Sequence, residues 1–398
     1  MPSEEEERVV VVTRRGAARL RSGHPWVYRS DLKSTNTAGP GAFVAVEDER
    51  RNRIGTALYS SASEIALRFL TSTTVSSDQE FLALVRERAG AALRYRQRVV
   101  ENSDAYRLIF SEADGLPGLI VDRYNDVLSL QALTQAMDQP AVKQAIITTL
   151  IEELAPGSVI ERVDPRIREL EHLPQAANGP LYGEKTQTVF TMNGVRFNYD
   201  AHTGQKTGAF LDQRENYAAA ARYARGEALD VFCYQGGFAL HLAHTCSRVI
   251  GVDSSRAALE AAEQNAALNG LPEMEWIEAN AFDLLKDYAA AGQQYDTIVL
   301  DPPAFARSKA TLPAALRGYK ELNLRALKML RSGGLLVTCS CSYHVGEADF
   351  LQMLTSAAID AHRTLRLLER RGQAKDHPVV LTIPETSYLK CVLFYVSD

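Results

Sequence analysis

The stretch Leu229-Asp230-Val231-Phe232-Cys233-Tyr234-Gln235-Gly236-Gly237-Phe238, followed shortly by Val249-Ile250-Gly251-Val252-Asp253, decides the fold. The first is an apolar strand carrying one acid, closed by a Gly-Gly turn that opens a helix. The second is an apolar strand ending in an acid. Outward from this pair the same alternation continues. Residues 216–224 and 239–245 read as helices, as do 255–269, 281–290 and 312–330, while 227–232, 248–253, 274–278, 295–300 and 334–340 read as strands. Regular β/α alternation predicts a mostly parallel, doubly wound sheet with helices on both faces. In such sheets ligands sit beyond the carboxyl ends of the strands.

Four strand ends carry suggestive residues. Gly236 and Gly237 let a backbone approach a ligand closely, although a tight turn explains them equally well. Asp253 can hydrogen-bond a ribose diol, and the glycine spacing is not the G-x-G-x-x-G of dinucleotide sites. Asn280, beside Ala281 and Phe282, can meet an adenine or simply cap a helix. Ile298-Val299-Leu300-Asp301-Pro302-Pro303-Ala304-Phe305 ends a buried strand in an acid held by two stiff prolines that lack N–H donors. Taken together, the order and spacing of these segments resemble the class I methyltransferase fold, which implies S-adenosylmethionine as cofactor.

Upstream, residues 8–76 hold short strand-like runs at 9–13, 43–46, 54–59 and 65–70 with turn residues between them, as in a small β-rich domain. This region and the helix after it are basic. Residues 8–100 contain 16 Lys and Arg against 8 Asp and Glu, although the whole chain is −5. That asymmetry suits a polyanion partner. Arg86, Arg88, Arg94, Arg96 and Arg98 of a helix at 78–101 read first as a solvated face. Residues 106–191 read as a connecting α/β domain of β-β-α-β order, closed by a hairpin around Asn193-Gly194. The domain expectation is therefore 1–76, 77–200 and 201–398.

The resemblance narrows further. His202 through Asn216, Leu116 through Tyr124, His377-Pro378, Pro384-Glu385-Thr386, and Arg19 through His24-Pro25-Trp26 are similar to signatures of the large-subunit ribosomal RNA cytosine-C5 methyltransferase I family. The likeness covers nearly the whole chain. It implies an N-terminal PUA-like RNA-binding domain, a middle α/β domain and a catalytic domain. It also implies a cofactor site of Phe210, Gln213, Asp230, Phe232, Tyr234, Gly236, Gly237, Asp253, Asn280, Ala281 and Asp301. Its implied substrate is 23S ribosomal RNA, naked or partly assembled, and the resemblance also implies a homodimer.

Ser340-Cys341-Ser342 matches the family's Ser-Cys-Ser triplet at a strand end, which makes Cys341 the expected nucleophile and Asp301 its catalytic companion. Cytosine C5 is a poor nucleophile, and a thiolate added at C6 makes it enamine-like. Cys339, two residues earlier, reads as a small core residue, but strand alternation keeps it in contention. Ala304 stands where other RNA cytosine-C5 methyltransferases carry a second cysteine, so the base that removes the C5 proton is not identified. Lys206 and Arg214 read equally as phosphate or cofactor contacts and as surface charges. Two other readings stay open. Asp301-Pro302-Pro303-Ala304-Phe305 is near the loop of RNA guanine methyltransferases, and an RNA-binding assembly factor could carry an idle cofactor fold. No apolar run approaches the ~20 residues of a membrane span. Five cysteines make no disulfide framework, the histidines show no metal-ligand spacing, and the acidic start is unlike a signal peptide. These features together read as cytoplasmic.

Overall fold

The computed structural model describes residues 8–35, 38–202, 208–271, 273–306 and 308–398. In the first region, β1 (Val9–Val12), α1 (Arg14–Arg21), β2 (Trp26–Tyr28), β3 (Leu32–Ser34), β4 (Phe43–Glu47), β5 (Arg53–Tyr59) and β6 (Ile65–Thr71) build a six-stranded sheet of order β2-β6-β5-β4-β1-β3. The helix α1 was not anticipated. Thr13 caps it by accepting from the Gly16 N–H, and Gly16 lies against Val27 and Asp31, where a side chain would crowd.

Much of the basic charge here is satisfied internally. The buried Asp31 carboxylate accepts from Arg15 at 2.6 Å and Arg19 at 3.4 Å. Arg68 reaches Glu112 and Glu171, and Arg29 donates to the Ser60 and Ser63 carbonyls.

Ser77 caps α2 (Asp78–Val99). The solvated-face expectation holds for Arg94 and Arg98 but fails at Arg96, which is 0% exposed. Arg96 donates to Asp114 at 2.5 Å and to the Arg107 and Asp376 carbonyls. A buried guanidinium needs this many partners because its desolvation is costly. Arg88 is likewise drawn to the Gly115 and Leu70 carbonyls.

The middle region runs β7 (Ala105–Phe110), β8 (Leu119–Tyr124), β9 (Val127–Ala132), α3 (Pro140–Leu154), β10 (Ser158–Glu161), α4 (Pro165–Leu170) and β11 (Gly179–Tyr182), in a sheet of order β11-β10-β9-β8-β7. It is therefore longer than the expected β-β-α-β, with a third strand before α3 and two further elements after β10. The additional α4 starts at Pro165 under an Asp164 cap. The additional β11 carries Pro180, which is tolerated because the strand lies at the edge.

Two compact units emerge: the described residues of Met1–Thr188, Tyr199–Gly208 and Asp376–Thr386, and those of Val189–Asn198, Ala209–Lys375 and Ser387–Asp398. The segment Asp376–Thr386 thus belongs with the N-terminal unit. The Asp376 carboxylate accepts from the Arg107 N–H at 2.8 Å, His377 stacks edge-on to Phe110, and His24 lies 3.2 Å from Glu385.

β12 (Gln187–Met192) and β13 (Val195–Asp200) form the expected hairpin, with Asn193 and Gly194 both at positive φ. The second unit continues through α5 (Arg214–Tyr223), β14 (Glu227–Val231), α6 (Gly237–Leu242), β15 (Arg248–Asp253), α7 (Arg256–Leu268), β16 (Glu275–Glu278), α8 (Ala281–Ala290), β17 (Tyr295–Leu300), α9 (Leu312–Met329), β18 (Leu330–Ser340), α10 (Glu347–Asp360), β19 (Thr364–Arg371) and β20 (Lys390–Ser397). The seven strands lie in the order β16-β15-β14-β17-β18-β20-β19.

Pairings among β14 to β18 are parallel, as expected, and β20 runs antiparallel to both neighbours. The strand order reverses at β14, where a doubly wound sheet opens its ligand crevice.

Candidate active site

β14 delivers Asp230, which is 0% exposed. One carboxylate oxygen accepts from the Ala239 N–H at 2.8 Å, and the other, Oδ1, has no hydrogen-bond partner among the described residues. Burial, reinforced by the charges of Asp301 and Asp253, pushes this carboxyl up to about 8. Acids at the carboxyl ends of the two neighbouring strands therefore act on Asp230.

Asp253 is held by the N–H groups of Tyr234 and Ser255, both at 2.9 Å. Between β14 and α6 the chain turns sharply. Phe232 and Tyr234 have positive φ without being glycine, an uncommon conformation for such bulky residues. Gly236 is at φ +86, and a Cβ on Gly237 would sit 2.5 Å from the Tyr217 ring.

Phe210, another expected cofactor residue, meets this turn. The Phe210 ring stands edge-on to Tyr234 at 5.1 Å, and the Phe210 carbonyl accepts from the Tyr217 hydroxyl. Gln213 is buried and accepts from Asn216 at 2.6 Å. Asn280 is exposed and uses its side-chain oxygen to cap α8, leaving its NH2 for other partners. Ala281 is buried beside it. Phe282 and Phe305, 6.0 Å apart, link this end of the sheet to the turn that follows Asp301. Arg214, weighed earlier as a surface charge, is 2% exposed. Lys206 lies outside the described residues.

The two cysteines that sequence left in competition are separated by burial. Cys339 is inside β18, 0% exposed, opposite Cys391 on β20. Burial pushes its thiol well above the ordinary range. Cys341 follows the last residue of β18, is partly exposed, and has its Sγ 4.0 Å from the Pro302 carbonyl oxygen.

The flanking serines explain the triplet. Ser340 donates to the Tyr319 hydroxyl at 3.0 Å, and Ser342 Oγ lies 3.0 Å from the same hydroxyl while accepting from the Ala306 N–H. Tyr319, from α9, thus ties the cysteine turn to the Asp301–Ala306 turn. Neither Tyr319 nor Lys390, whose ammonium donates to the Ser342 carbonyl at 2.7 Å, was singled out from sequence. Each lies tens of residues from Cys341, and no local pattern marks them.

A protein-family model described as a PUA-like domain matches residues 10–72, and one described as an S-adenosylmethionine-dependent methyltransferase matches residues 114–395. The Photobacterium profundum protein named ribosomal RNA large subunit methyltransferase I is 38% identical over 95% of this chain and 96% of its own. The chain belongs to the ribosomal RNA large subunit methyltransferase I family. An Escherichia coli member is 36% identical over 96% of this chain and 98% of its own. In fold, this family member is also similar to a candidate S-adenosylmethionine-dependent methyltransferase from Streptococcus mutans, with a TM-score of 0.80 and 19% identity over 98% of this chain and 100% of that one.

The family member therefore carries the class I methyltransferase fold with an N-terminal PUA-like domain, and its cofactor is S-adenosylmethionine. The geometry fits that cofactor. Its sulfonium and ammonium are cationic, matching an acidic cluster that includes Asp230, one of whose oxygens has no partner among the described residues. Gly236 and Gly237 leave the turn open where a side chain would collide. Among the described residues, no helix is long and apolar enough to cross a membrane.

Proposed function

We propose that this methyltransferase modifies C5 of a cytosine in 23S ribosomal RNA through a transient bond between Cys341 and C6 of the base. The observation that carries this reading is the placement of a partly exposed thiol at the end of β18, against the Pro302 carbonyl of the turn that begins at Asp301. The name of these relatives, ribosomal RNA large subunit methyltransferase I, supports ribosomal RNA as the substrate class.

The Cys341 thiolate adds to C6, and the electron pair moves to C5. S-adenosylmethionine supplies the electrophilic methyl group that C5 takes. Loss of the C5 proton and of the thiolate restores the aromatic ring and frees Cys341. Asp301 faces the N3/N4 edge of the base and favours addition at C6. Asp230 and Asp253 bind and orient the cofactor, with Phe210, Gln213, Phe232, Tyr234, Gly236, Gly237, Asn280 and Ala281 forming its walls. A base stacked in a duplex is out of reach, so the target is flipped or unpaired. Phosphate contacts from the basic N-terminal region position the RNA without reading sequence.

The test is incubation with labelled S-adenosylmethionine and unmodified 23S RNA, followed by nucleoside mass spectrometry. The expected product is 5-methylcytidine, abolished by Cys341→Ala. Full activity of Cys341→Ser, or a methylguanosine product, would replace the thiol mechanism with nitrogen methylation.

A further inference from the structure

We infer that Lys390 of β20 is a positioning residue that keeps Cys341 in its thiolate form, an inference resting on the reading of Cys341 as nucleophile. Antiparallel pairing sets Lys390 opposite Ser340, one residue before the thiol. From there its ammonium crosses to the turn on the far side of the cysteine, donating to the Ser342 carbonyl at 2.7 Å and the Tyr388 carbonyl at 2.9 Å. Lys390 therefore brackets Cys341 between its backbone register and its charged tip. Both hydrogen-bond acceptors are neutral, so this half-buried cation still requires an anion.

Two groups supply negative charge to it, Cys341 and Glu347 of α10. Glu347 is exposed and shared with Arg370 at 3.5 Å. That leaves the cysteine as the partner built into the turn.

The surroundings of Cys341 are otherwise unfavourable to an anion. The Pro302 carbonyl oxygen, 4.0 Å from Sγ, presents a partial negative charge. Tyr319 of α9 is held as a neutral phenol by burial. Ser340 and Ser342 already serve Tyr319 and the Ala306 N–H. The thiol proton leaves to solvent and Lys390 keeps its own three, so the thiolate forms without a general base. Burial lowers the ammonium to about 8, and the thiolate opposes that loss. Protonated Lys390 therefore supports the thiolate through neutral pH, and the support fades as pH rises past 8.

The experiment is the pH dependence of iodoacetamide alkylation, read at the Cys341 peptide by mass spectrometry, in the full-length protein, Lys390→Met and Lys390→Arg. The unmodified protein should titrate below the ~8.5 of a free thiol. Lys390→Met should react about tenfold or more slowly at pH 7, with its midpoint shifted up. Lys390→Arg should remain near the unmodified curve, and S-adenosylmethionine affinity should hold in both variants. Superimposable curves for Lys390→Met and the unmodified protein would overturn the inference. Should Lys390→Met fail to bind cofactor, the unmodified midpoint decides, and a value at or above ~8.5 overturns it. If Cys341→Ser still yields 5-methylcytidine, the nucleophile reading falls while the alkylation result stands on its own.

Discussion

Replacing Asp230 with Asn should make the cofactor domain more stable and less functional, by an amount that depends on pH. In the folded protein the carboxyl titrates near 8, against 3.8 for an ordinary Asp. The folded state therefore holds a proton that the unfolded chain releases. Stability from this group is complete below pH 3.8 and is lost as pH rises toward 8. Each pH unit in that window costs about 1.4 kcal/mol, so about 4 kcal/mol is lost by pH 7.

Asn does not ionise, and its oxygen can still accept from the Ala239 N–H. Its NH2 would take the place of the unpartnered Oδ1, and a buried donor without a partner costs about 1–3 kcal/mol. The net expectation is a gain of about 1–3 kcal/mol at pH 7 and none, or a loss, near pH 4. Calorimetric unfolding between pH 4.5 and 8.5 measures it, taking the transition that S-adenosylmethionine raises. The gap between variant and unmodified protein should widen with pH, while cofactor affinity falls in the variant. Ionisation of Asp230 against the cationic cofactor should also release a proton on binding, visible in buffers of different ionisation enthalpy and absent in Asp230→Asn. A stability gap that is constant or narrows with rising pH would refute the reasoning.

Gly237→Ala places a Cβ 2.5 Å from the Tyr217 ring. Titration calorimetry should show cofactor affinity reduced about tenfold or more, with about 1–3 kcal/mol of stability lost. Arg96→Met leaves the Asp114 carboxylate without its buried partner, and denaturant melts should show a loss of about 3–5 kcal/mol with cofactor affinity unchanged. Ser342→Ala strands the Ala306 N–H and removes a contact of Tyr319. It should cost about 1–3 kcal/mol and lower kcat, while the cofactor Kd stays near its unmodified value.

Local pattern was enough for what lies within a few residues along the chain. Strands β14, β15, β17 and β18 were legible because their apolar runs are largely buried and separated by helices of clear period, and the half-buried edge strand β16 was marked by the helices on either side of it. The Gly236-Gly237 turn, the Asn193-Gly194 hairpin and the acids at strand ends were legible because turn chemistry and strand termination are local. The last strands were not. In β19 the run Thr-Leu-Arg-Leu-Leu-Glu-Arg-Arg favours helix by composition and is largely exposed, so pairing with β20 overrides its propensity. Arg96 looked like a surface residue because its partners Asp114 and Asp376 are distant in sequence, the second by 280 positions.

The sequence by itself determined the order of strands and helices from α5 to β18, the positions where acids and glycines end them, and the Ser-Cys-Ser triplet. Tertiary structure decided which cysteine is accessible, because burial separates Cys339 from Cys341 although both sit on one short segment. It also decided what surrounds the thiol. Tyr319 from α9 and Lys390 from β20 reach the serines that flank Cys341 only after helix and strands come into register. Long-range pairing of this kind leaves no trace in local spacing, since its energy comes from contacts that the unfolded chain does not make.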